Sequence, residues 1–151
     1  ILWLTLFRDK IDDIMEQVKC PVAVFVNRGY REGALVSFVL GGMIDIFLLS
    51  YISIMLQNGH SVRLFLFDTD DEEFCRCMND LQARYSGQIT IVRFAGIEEL
   101  VTKEKDGLLV MSHLSYTKLS EDELVMRELS SLLVIRRNKN KGEKNERLEI
   151  G

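Results

Sequence analysis

The fold turns on residues 34–67, ALVSFVLGGMIDIFLLSYISIMLQNGHSVRLFLF, whose first 23 residues carry a single charge, Asp45. A stretch this long and apolar has the length of a membrane span. Three features oppose that reading. Gly41-Gly42 breaks the run into pieces too short to cross a bilayer alone, and Asp45 at the bilayer centre would cost about 2.5–3.5 kcal/mol. The piece before the glycines, Ala34 to Leu40, is rich in β-branched and aromatic residues and reads as a strand. The piece after them, Met43 to Leu56, is a helix of about four turns closed by Gln57-Asn58-Gly59, with Gly59 at the position past the helix end. Val62 to Phe67 is the next strand. Strand, diglycine, helix, glycine turn and strand make a βαβ unit whose apolar helix is tucked against a sheet.

The pattern repeats outward in both directions. Upstream, Ile11, Ile14, Met15 and Val18 form the stripe of an amphipathic helix that ends at Cys20-Pro21, before the apolar strand Val22 to Val26. Downstream, Thr69 and Glu72 fit a capping box opening a helix with the core stripe Phe74, Cys77, Met78, Leu81 and Tyr85. Then come the strand Ile89 to Phe94, a short helix around Ile97 to Val101, and the strand Leu108 to Met111. A loop after Ser112-His113 leads to a second capping box at Ser120 and Glu123, and the last strand is Ser131 to Ile135. Six strands alternating with helices predict an α/β protein: three layers, a mostly parallel sheet with helices on both faces, and right-handed crossovers.

The whole chain is 151 residues with a formal charge of −4, 47% hydrophobic and 28% charged, and a sequence pI near 5.3. At this length folding buries about two thirds of the unfolded surface, enough for one core without disulfides. The acidic balance excludes a general nucleic-acid binder, which needs a basic surface to displace phosphate counterions. The three cysteines, Cys20, Cys75 and Cys77, are expected as reduced thiols. Cys75 and Cys77 would point about 200° apart on a helix, so they do not chelate one metal.

A faint internal echo divides the chain. With Cys20 placed on Ser130, the helix and strand 12–25 lie over the helix and strand 122–135, and each strand is followed by an arginine. Residues 1–29 therefore read as the closing helix and strand of a preceding, similar lobe, or as an N-terminal extension. Residues 30–137 read as the α/β domain itself. The start at Ile1 followed by Leu2-Trp3-Leu4 is expected of a piece cut from a longer polypeptide. Residues 138–151 read as a basic, solvated tail, and residues 136–147 carry six Lys or Arg against two Glu. Such a tail is attracted to anionic lipid.

In an open parallel sheet, ligands bind in the crevice at the carboxyl ends of the strands. The residues placed there are Gly41, Gly42, Asp45, Asp68, Ser112 and His113. A diglycine between strand and helix lets a ligand approach the backbone, although a tight turn that needs glycine φ angles explains it as well. The acids at Asp68 and Asp70 to Glu73 suit a cation, but capping and the helix dipole account for most of them. His113 has an intrinsic pKa near 6.5 and serves either as an acid, base or pH sensor or as an ordinary loop residue. Neither a nucleophile–base–acid set nor metal-ligand spacing emerges, which points to a non-catalytic domain with no metal and no cofactor.

Four segments carry a family resemblance: Cys20 to Gly29, Phe38 to Asp45, Asp106 to His113 and Leu129 to Arg137. They resemble the cytoplasmic C-terminal domain of monovalent cation/proton antiporters, a domain related to the universal stress proteins. The resemblance implies a universal-stress-protein-like, Rossmann-like fold. It also implies a regulatory role behind a membrane-embedded antiporter domain of the same polypeptide, a place on the cytoplasmic face of the membrane, and a homodimer. The alternative is a free-standing stress protein that binds an adenine nucleotide. Two departures bear on the choice. The family usually has paired acids after the diglycine, whereas Asp45 stands alone between Ile44 and Ile46. The segment His113 to Leu119 contains no glycine, so it lacks the backbone freedom to wrap a triphosphate.

Overall fold

The apolar runs of the sequence become the strands of one sheet in the computed structural model, which describes residues 2–3, 8–67 and 69–137. In chain order the elements are β1 (Leu2–Trp3), α1 (Arg8–Gln17), β2 (Val22–Val26), β3 (Val36–Leu40), a 3-10 segment (Met43–Leu48), α2 (Leu49–Gln57), β4 (Val62–Phe67), α3 (Glu72–Arg84), β5 (Ile89–Phe94), a second 3-10 segment (Ile97–Leu100), β6 (Leu108–Ser112), α4 (His113–Leu119), α5 (Glu123–Glu128) and β7 (Ser131–Arg136). The basic tail from residue 138 and Asp68 lie outside the described residues.

The sheet has seven strands in the order β1-β2-β7-β6-β3-β4-β5. From β7 to β5 every pair is parallel. The expected α/β class with a mostly parallel sheet and helices on both faces is what the chain adopts. On one face, Ile11 and Met15 of α1, Leu100, Tyr116 and Leu119 of α4 and Met126 of α5 close a core over Val24, Val39, Phe65, Met111, Leu132 and Val134. On the other, Leu48, Ile52 and Leu56 together with Phe74, Met78 and Leu81 of α3 cover Phe38, Leu40, Leu64 and Leu66. Alternate residues of each central strand feed the two cores, which is why these strands read as continuous apolar runs.

Residues 34–56 form a strand, a turn and a helix, and among the described residues no helix is long and apolar enough to cross a membrane. The helix is not one uniform piece. Its first turns, Met43–Leu48, are 3-10, and only from Leu49 does the α-helical ladder run. It ends as the sequence predicts, with Gly59 at φ +83 and the Gly59 N–H donating to the Leu56 carbonyl at 3.1 Å. It is apolar on all sides, yet only the Leu48, Ile52 and Leu56 side is buried. Ile44, Tyr51 and Ile54 stay exposed.

The antiparallel element in the sheet is the pairing of β2 with β7, centred on Val24 opposite Val134. An antiparallel strand beside an otherwise parallel set is a common arrangement in larger sheets. Two arginines lock this pair reciprocally. Arg28, just beyond β2, donates through Nη1 to the carbonyls of Met126 and Leu129, at the end of α5. Arg136, at the end of β7, donates through Nη2 to the carbonyls of Val18 and Cys20, just beyond α1. Each cation thus satisfies carbonyls that a helix end leaves unpaired, at the pole of the dipole that favours positive charge. The echo between residues 12–25 and 122–135 is therefore an approximate local two-fold, with α1 and α5 on the same face of the sheet.

Helix starts differ from the capping boxes expected from the sequence. Asp71, not Thr69, caps α3 by accepting from the Phe74 N–H at 3.1 Å. Asp122, not Ser120, caps α5 by accepting from the Val125 N–H at 3.1 Å. Ser120 is engaged as the residue that ends α4, and the carboxylates make stronger acceptors than the hydroxyls.

Met15 of α1 is almost fully buried beneath the β2–β7 pair. Met15→Ala is expected to destabilise the protein by about 2–4 kcal/mol and to keep a single cooperative transition in urea. Two separated transitions would show that α1 and β2 fold apart from the rest.

Candidate functional site

The parallel strands give the chain two directions of travel from β3. One route runs outward to β4 and β5; the other returns to the opposite side of β3 for β6 and β7. The turns after β3 and β6 therefore diverge at the carboxyl edge, and this is the topological switch point where open α/β sheets bind ligands. Gly41, Gly42 and Asp45 leave β3 there, and Ser112 and His113 leave β6.

Asp45 is the centre of this crevice. Its side chain is fully buried, with 0% exposure. Oδ2 accepts from the Gly41 N–H at 2.6 Å and from the Ser115 hydroxyl at 3.0 Å. Oδ1 is buried and has no hydrogen-bond partner. One carboxylate thereby ties the β3 turn to α4 with one oxygen and leaves the other bare in a low-dielectric setting, where an unmet acceptor is costly.

The two glycines have separate reasons to be glycine. A Cβ at Gly41 would lie 3.1 Å from Asp45 Oδ2 and 3.6 Å from Ser115 Oγ. Gly42 has φ +139, a conformation that side chains disfavour. Its carbonyl accepts the Asp45 N–H at 3.0 Å, starting the 3-10 segment. Close approach at Gly41 and backbone conformation at Gly42 together aim Asp45 back into the switch point.

A cleft of about 160 Å³ opens against Asp45. Its walls are mostly apolar: Val39, Phe67, Phe94, Ile97, Leu114 and Leu119. Phe67 and Phe94 meet edge to face, with ring centroids 5.5 Å apart. Ser115 and Lys118 of α4 add a hydroxyl and a cation to the same lining. In the turn that joins Phe94 to Ile97, Glu99 Oε2 accepts from the Ala95 and Gly96 N–H groups at 2.7 and 3.1 Å. Those backbone hydrogen bonds hold the Glu99 carboxyl below the usual glutamate range.

The other sequence candidates are placed differently. Ser112 is structural first, capping α4 by accepting from the Ser115 N–H at 3.1 Å. His113 turns away from Asp45 towards α1, where Nε2 lies 3.0 Å from Asp12 Oδ1. Asp68 is outside the described residues. The structure thus joins Gly41, Gly42 and Asp45 into one site, supports it through Ser112, and puts His113 in a neighbouring cleft. Ser115, Lys118 and Leu114 are not legible as site residues in the sequence, which predicts a loop where α4 forms. Its stripe is only Tyr116 and Leu119, and its cap lacks the Glu or Gln three residues on that marks a capping box. Among the described residues, no group of three His, Cys, Asp or Glu side chains is arranged to hold a metal.

Compared with known protein families, curated proteins and solved structures, the chain matches none of them.

Three substitutions test this region. Ser115→Ala removes one of two donors to a buried carboxylate and is expected to lower stability by about 1–3 kcal/mol. Asp45→Ala is expected to cost at least as much, because the Gly41 N–H then loses its acceptor. Glu99 has a folded pKa below its unfolded value, so its contribution is full above the ordinary glutamate pKa and fades as pH falls through the lowered value. Glu99→Gln should therefore flatten the acid limb of a stability-versus-pH curve and leave the neutral plateau's slope unchanged.

Proposed function

We propose that this chain is a non-catalytic regulatory domain that binds a small molecule at the β3–β6 switch point. The observation that carries the reading is the unpartnered, buried Oδ1 of Asp45, a residue that lines a cleft of mostly apolar walls. An acceptor held at that position selects a ligand that donates a hydrogen bond, and the aromatic and aliphatic lining selects a compact apolar body behind the donor. Lys118 at the same cleft favours a ligand that also carries an acceptor or a negative group.

The domain's setting in this proposal is the cytoplasmic face of a membrane, behind an embedded monovalent cation/proton antiporter of the same polypeptide. Support comes from the four motifs that resemble the antiporter domain. All of them fall on strands and the turns that follow: β2 with Arg28, β3 with the diglycine, β6 with Ser112 and His113, and β7 with Arg136 and Arg137. The two parts of the proposal are tested separately. The first test is calorimetry of the wild-type domain with a panel of small metabolites that includes ATP and cyclic nucleotides. A ligand is expected whose affinity falls at least ten-fold in Asp45→Asn. A ligand bound equally by wild type and variant would remove Asp45 from the site. Tight ATP binding that depends on Gly41 would favour the free-standing nucleotide-binding stress protein instead. The second test is expression of the gene that encodes this chain in cells stripped of their own antiporters. Cation-dependent proton exchange in everted vesicles is expected, and its absence would sink the antiporter assignment.

A further inference from the structure

A second cleft, of about 100 Å³, lies beside the Asp45 site and shares Ile44 and Leu114 with it as a dividing wall. Those two side chains are 52% and 51% exposed. Beyond the wall the chemistry is reversed. The lining is Ser112 and His113 from the end of β6, Arg136 and Arg137 from the end of β7, and Phe47.

Arg136 is the unusual member. It is only 8% exposed, and its Nη2 is committed to the Val18 and Cys20 carbonyls. Nε and Nη1 are buried without a hydrogen-bond partner. Carbonyl dipoles orient a guanidinium but do not neutralise it. The ion pairs found among the described residues are Arg63 with Glu104 and His113 with Asp12, and neither includes Arg136. A buried cation whose donors remain unmet is costly, and an anion relieves both the charge and the unmet donors.

The surrounding groups fit that role. Arg137 stands over the Phe47 ring, with the guanidinium carbon 5.5 Å from the ring centroid, which fixes a second cation at the cleft. His113 is engaged by Asp12 of α1, with Nε2 3.0 Å from Oδ1. Arg136 is the cation there whose donors remain unmet. The volume suits one small oxyanion and is well below that of a drug-sized ligand pocket.

We propose that the Arg136–Arg137 cleft is a binding site for a small oxyanion of the phosphate class, either free or as the phosphomonoester of a lipid headgroup. The guanidinium donors take the oxygens in charge-assisted hydrogen bonds. This site is separate from the Asp45 cleft and does not rest on a ligand being bound there.

The probe is inorganic phosphate, compared with chloride at equal ionic strength, read as thermal stability of the whole chain. At ten-fold excess over its Kd, phosphate is expected to raise Tm by about 3–6 °C over chloride. Arg137→Gln, which leaves the Arg136 ties to Val18 and Cys20 in place, is expected to weaken phosphate several-fold. Arg136→Gln is expected to abolish the effect, and Arg84→Gln, which removes a cation from α3, to leave it unchanged. Equal shifts in phosphate and chloride, or a phosphate affinity unchanged in Arg137→Gln, would overturn the proposal whether or not Arg136→Gln folds. A parallel arm uses phosphatidylcholine vesicles with and without a phosphoinositide. Phosphoinositide-dependent binding that free phosphate competes away and Arg137→Gln weakens identifies the headgroup as the source. A phosphate effect with no such vesicle binding identifies a free oxyanion.

Discussion

One buried carboxylate holds the centre of this molecule together. Asp45 sits where the chain leaves β3, and through a single oxygen it binds the turn behind it and the helix that follows β6. Those two turns have no covalent reason to be neighbours, since they are 70 residues apart along the chain. Their meeting is imposed by the strand order, and the hydrogen bonds of Asp45 fix how they meet. The tightness at Gly41, the positive φ of Gly42 and the cap that Ser112 supplies to α4 all follow from placing that carboxylate there.

The same constraint explains why so much of the fold was legible in the sequence. Strands buried on both faces must be largely apolar, so β4, β6 and β7 stand out as runs rich in Val, Ile, Leu, Met and Phe bounded by polar turns. The diglycine marked the β3 turn because two distinct backbone demands fall on adjacent residues. What escaped was set by contacts remote in sequence. Nothing local announces that α4 forms, because its seven residues present only Tyr116 and Leu119 to the core and its cap is a serine answered by another serine. Likewise the 3-10 opening of the β3–β4 crossover leaves no mark in an apolar run, since periodicity cannot distinguish tight from ordinary helix when nearly every residue is hydrophobic.

The site was half visible for a related reason. Asp45 was conspicuous as the lone charge in an apolar stretch, and its burial is the physical meaning of that isolation. Ser115 and Lys118 were invisible because they reach the crevice only through a helix the sequence did not declare. His113 was a natural candidate at a strand end, yet the first residue of a helix can face either neighbour, and Asp12 on α1 drew it away. The choice between two sides of one turn is a tertiary decision, and no spacing encodes it.

The reciprocal arginines on β2 and β7 have a wider meaning. Two helix–strand units related by a local two-fold, each supplying the cation for the other's helix end, form an isologous contact of the sort by which identical subunits associate. Here both partners belong to one chain. Their association is therefore intramolecular, with an effective concentration set by the connecting polypeptide and not by the amount of protein present. Dilution, which dissolves a dimer built on the same surface, leaves this one intact.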